Sequence, residues 1–144
     1  MAKLNTLCRQ EAAATTGHIP QPSAKAANDL QAGRMTIEAA RFLGQFADVF
    51  LTAADRILAK ARSWQVSASD RPFLDQLVGI VQREKPALRA VIESARTGDT
   101  DSVTQNWERV QRLSEENSAL NERWNLTACG TLRSPAAQRS VAAT

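Results

Sequence analysis

The sequence predicts an all-α fold: an antiparallel, up-down-up three-helix bundle with flexible N- and C-terminal segments. Apolar residues recur at intervals of three and four over three long stretches. The composition is rich in alanine, and six Gly and five Pro in 144 residues leave little material for hairpins. The links between the periodic stretches are short, which favours antiparallel neighbours. A chain of this length makes one domain. It divides into a flexible arm over 1–34, a helical bundle over 35–130 and a disordered tail over 131–144.

The arm is rich in Ala, Thr, Gln and Ser. Residues 4–14 and 24–32 suit short helical pieces, but neither shows an apolar face wide enough to dock. Between them Gly17 to Ser23 holds Pro20 and Pro22, which lock φ and remove two donors. The first long helix starts near Thr36, a side-chain N-cap with Glu38 in the first turn, and runs to about Trp64. Phe42, Phe46, Val49, Ala53, Ile57 and Ala61 form its stripe, and Leu43, Phe50 and Leu58 widen it beyond a narrow seam. The second opens at Ser69 or Asp70, with Pro72 tolerated in its first turn. Phe73, Leu74, Leu77, Val78, Val81, Leu88, Val91, Ile92 and Ala95 mark its apolar face. Pro86 cannot donate to the Gln82 carbonyl, yet the register survives from Val81 to Leu88, so one kinked helix is expected up to Thr97-Gly98. The third begins between Asp99 and Ser102, passes Val103, Trp107, Val110, Leu113, Asn117, Leu120 and Trp124, and takes Gly130 as its C-cap. Up-down-up order then places Trp64 and Trp124 near Phe73 at one end. Phe42, Phe46 and Trp107 fall near Ile92 at the other.

The formal charge of +3 is unevenly spread. Residues 99–130 carry three basic against six acidic groups, a balance of −3, while every other segment is mildly basic. Segregation by helix points to complementary helix faces more than to a phosphate groove. Cys8 and Cys129 stand at opposite ends and read as two reduced thiols of a cytoplasmic protein. No stretch approaches the length of apolar chain that a membrane span needs.

Catalytic chemistry finds little support. The one histidine, His18, sits in the Gly/Pro-rich arm, and a general base must be held within about 3 Å of its proton. No cluster of Cys, His, Asp or Glu has metal-ligand spacing, and Glu115, Glu116 and Glu122 read as a solvated helix face. No catalytic residue, metal or cofactor is therefore expected. Arg83, Lys85, Arg89 and Arg96 offer a positive stripe on the second helix that suits a regulatory protein touching nucleic acid. Glu84 and Glu93 interrupt it, and no aromatic residue is interleaved for base stacking.

The third helix holds the oddest pattern. Ser114, Asn117 and Asn121 stand on its seam, where the flanking turns carry Trp, Val and Leu. A polar layer there either sets register or faces a partner. With Leu43, Phe50 and Leu58 as an apolar floor and Leu113, Asn117 and Asn121 opposite, the expected site is a groove for a helical segment of another protein. The same apolar face would also serve a homodimeric structural or phage-type protein. The order of helices, ending in one with Leu113, Asn117, Leu120 and Asn121, resembles the flagellar export chaperones that hold hook-associated proteins. That resemblance implies a bacterial, non-enzymatic binding protein.

Overall fold

The computed structural model describes residues 2–126. It is all-helical, without a strand among the described residues. Five helices form instead of three: α1 (Ala2–Thr16), α2 (Ala24–Gln31), α3 (Ile37–Ala61), α4 (Arg71–Thr97) and α5 (Thr100–Arg123). No helix among the described residues is long and apolar enough to cross a membrane. The tail over 131–144, Gly130 and Cys129 lie outside the described residues.

The long helices begin at the predicted caps. The Thr36 hydroxyl accepts from the Ala39 N–H at 3.2 Å, and the Asp99 carboxylate accepts from the Ser102 N–H at 3.1 Å. Asp70 precedes α4, and Pro72 occupies its first turn. The helix continues unbroken through Pro86 to Gly98, whose φ of 75° closes it. Helix α5 stops earlier than expected because Asn125 adopts the left-handed conformation, with φ 54°. The Leu126 N–H then bonds the Asn121 carbonyl at 2.9 Å and the Asn125 N–H bonds that of Glu122 at 3.1 Å. The same pair of bonds ends α4 at Gly98 and α2 at Gly33.

The core falls into two clusters. Ala54 and Ala61 from the second half of α3, with Trp64 just past it, meet Phe73, Leu74 and Leu77 from the start of α4, Leu120 from the end of α5 and Leu126 just beyond it. Phe42, Phe46 and Phe50 meet Leu88 and Val91, with Val103 and Trp107, in the other. The aromatic residues divide between these clusters as the periodicity predicts. Trp124 stands edge-on to Phe73 at 5.7 Å, and Phe46 meets Trp107 at 5.8 Å. Helices α3 and α4 come together closely at Gly44, where an added Cβ would lie 2.8 Å from the Cβ of Ala95.

The segment expected to stand off as an arm packs against this core. Leu4 is fully buried and joins the cluster that contains Leu120 and Leu126, with Cys8 beside it. Ala26 enters the other cluster, and Leu30 packs against it. The buried stripe of α1 is Leu4, Cys8, Glu11 and Thr15, so half of it is polar. Charge pairing compensates. Lys60 and Arg56 of α3 both donate to Glu11, and Arg56 also donates to the Thr15 hydroxyl at 2.9 Å. Burial alone would raise the Glu11 carboxyl. The two cations outweigh it and hold the group below the usual range. In α2, Asp29 accepts from Lys25, the Thr36 hydroxyl and Arg34, so one carboxylate ties α2 to the cap of α3. The Lys25 bond, followed by that of Thr36, brings its pKa to about 2. Cys8 is disulfide-bonded, which corrects the expected reduced thiol.

Candidate functional site

The groove expected between the long helices is closed. Leu43 and Phe50 belong to the second core cluster, Leu113 is buried, and Asn117 and Asn121 are 1% and 3% exposed. The apolar width of α3 that suggested a partner is covered in part by the chain's own N-terminal helices. Leu4, Cys8, Ala26 and Leu30 supply what a partner would have brought. The asparagines form a buried polar pair. The Asn121 Nδ2 donates to the Asn117 backbone carbonyl at 2.8 Å and to its Oδ1 at 3.0 Å. The Asn121 Oδ1 is buried without a partner.

Leu58 has a different setting from the other five. It is only partly covered, and it lines a cleft between the last turns of α3 and the first half of α4, of about 460 Å³. From α3 and its C-cap come Leu58, Ala59, Ala61 and Arg62; from α4 come Arg71, Leu74, Asp75, Val78, Gln82 and Lys85. The α4 positions repeat at three and four, so they share one face of that helix. Leu58, Leu74 and Val78 provide an apolar floor, and Arg62, Arg71 and Lys85 a basic rim. Lys85 pairs with Asp55 of α3, whereas Arg62 and Arg71 are exposed. The Arg71, Leu74, Val78 and Lys85 spacing was legible in the sequence. What sequence could not supply was which face of α4 the packing of α3 would leave partly open.

The basic residues weighed for nucleic acid do not act as one stripe. Both terminal guanidinium nitrogens of Arg83, Nη1 and Nη2, donate to the Glu116 carboxylate of α5, at 3.1 and 2.7 Å. Lys85 is turned to α3, and Arg96 is paired with Glu93 three residues earlier. Of the four, Arg89 is exposed with no ion pair among the described residues. Glu84, between them, is buried at 6% exposure. It occupies the stripe position between Val81 and Leu88, a gap in the apolar repeat that could have been read from sequence. Burial pushes its carboxyl up to about 7, with Arg83 opposing and Glu116 reinforcing the shift.

His18 lies in the connection between α1 and α2. Among the described residues, no group of three or more His, Cys, Asp or Glu is placed to hold a metal ion. Comparison with protein-family models, curated proteins and solved structures returned no match.

Proposed function

We propose that this chain is a non-enzymatic protein-binding module whose docking site is the α3–α4 cleft, with α3, α4 and α5 running up-down-up as its scaffold. One observation carries the reading. The chain's own helices cover the other face of α3 but leave Leu58 and Val78 partly open beside Leu74 in a concave surface. Concave sites with an apolar floor and a few charged groups at the edge are where ligands and partner segments dock. An adaptor, or an export chaperone of the kind that the third long helix resembles, would work through such a cleft. The Cys8 disulfide bears on the compartment. Such bonds persist in oxidising surroundings, which weighs against the expected cytoplasm.

The test is Leu58→Asp with Val78→Asp. The double variant should keep its helical circular-dichroism spectrum and a cooperative thermal transition, yet lose a partner that wild type captures from the native host. A partner retained by the folded double variant refutes the reading. Unfolding of the variant assigns both side chains to the core and removes the cleft as a site.

A further inference from the structure

Resting on the cleft as a docking site, we infer that its partner is an acidic amphipathic helical segment of another protein. Its apolar side chains lie on Leu58 and Val78, over the buried Leu74, and its carboxylates meet Arg62 and Arg71. The charge balance of the lining carries the argument. Three cations and a single acid, Asp75, surround the apolar floor. Lys85 is already committed to Asp55. Arg62 and Arg71 are exposed, and neither forms an ion pair among the described residues. Arg62 caps the end of α3 and Arg71 opens α4, so the two arginines enter the lining from different helices. Each can hold a carboxylate in a two-pronged geometry that a lysine cannot copy.

Shape selects a helix. The α4 wall runs from Arg71 to Lys85, about 21 Å at 1.5 Å per residue, or four turns. A helix of similar length presents apolar residues at i, i+3, i+4 and i+7 along such a floor. A second copy of this chain fits poorly. Its described surface offers one large exposed apolar side chain, Ile37. Its acidic stripe on α5, Asp101, Glu108, Glu115 and Glu122, lies on exposed positions seven apart with no large apolar neighbour exposed. Nucleic acid would satisfy the arginines but not the floor, because no lining residue is aromatic and able to stack a base.

A random peptide library displayed on phage and selected on the full chain tests this. The expected peptides combine Glu or Asp with Leu, Ile or Phe at helical spacing. As synthetic peptides they should bind Arg62→Glu/Arg71→Glu about tenfold or more weakly, and should weaken as salt rises. Leu58→Asp should abolish their binding. Peptides that are neutral or basic, yet still depend on Leu58, overturn the acidic partner while leaving the docking cleft in place. Peptides indifferent to Leu58→Asp overturn both. A duplex DNA oligonucleotide that binds more tightly than any selected peptide, and loses binding on the same charge reversal, also overturns the inference.

Discussion

Glu84→Gln should stabilise the protein above neutral pH and leave it unchanged in acid. The carboxyl is buried on α4, with Arg83 turned away to Glu116. Its pKa stands at about 7 against an ordinary value of 4.5. Below pH 4.5 both the folded and the unfolded chain carry a neutral Glu84, and the group contributes no difference. As pH rises from 4.5, the unfolded chain ionises first and gains free energy that the folded chain cannot match. Stability falls by about 1.4 kcal/mol per pH unit until the folded carboxyl also ionises near pH 7, then levels off. Two and a half units correspond to about 3 kcal/mol. Gln keeps the shape of the side chain and cannot ionise. Urea unfolding of both proteins from pH 4 to 8.5 should therefore show a stability difference that opens between pH 4.5 and 7 and then holds. A difference that is constant across that range would refute the buried, uncompensated carboxyl.

The remaining expectations concern packing and pairing. Gly44→Val places a branched side chain where even a Cβ lies 2.8 Å from Ala95, so α3 and α4 must part, at a cost of about 1–3 kcal/mol in chemical denaturation. Glu11→Ala removes the shared partner of Lys60 and Arg56, and amide exchange should accelerate in α1 while α4 keeps its protection. Asn121→Leu removes an unpartnered Oδ1 but also the Nδ2 that serves the buried Asn117 Oδ1, so it should cost about 1–3 kcal/mol; Leu120→Ala beside it should cost about 2–5 kcal/mol. A larger loss at Asn121 would mean that the polar pair sets the α4–α5 register.

The long helices were legible because their signals are local. Thr36, Asp70 and Asp99 are cap residues at the start of periodic runs, and Gly98 is the residue a left-handed ending prefers. The division of the aromatic residues followed from element order alone. The docking of α1 was not legible. Two of its four buried positions are Glu11 and Thr15, and their burial depends on Arg56 and Lys60, some forty-odd residues onward in the chain. No local pattern announces such a pair. The burial of Leu43 and Phe50 has the same origin: part of their cluster, Ala26 and Leu30, comes from a segment with a weak apolar face. Asn125 shows a smaller version, a left-handed ending taken by the second-choice residue while the first choice, Gly130, stood further on.

Leu4 and Leu120 occupy one cluster. During synthesis the turn that carries Leu4 emerges long before the α5 side chain of its cluster, Leu120. A helix with only half an apolar stripe is marginal on its own in water, so α1 has little to hold it while it waits. Once α3 is made, Arg56 and Lys60 can take Glu11, but the apolar cluster around Leu4 stays incomplete until α5 supplies Leu120. Contacts of such sequence separation slow folding and lengthen the exposure of apolar surface. A ribosome stalled before Leu120 would hold a chain with α1 tied to α3 by its charged pair and the apolar cluster around Leu4 still short of its α5 member.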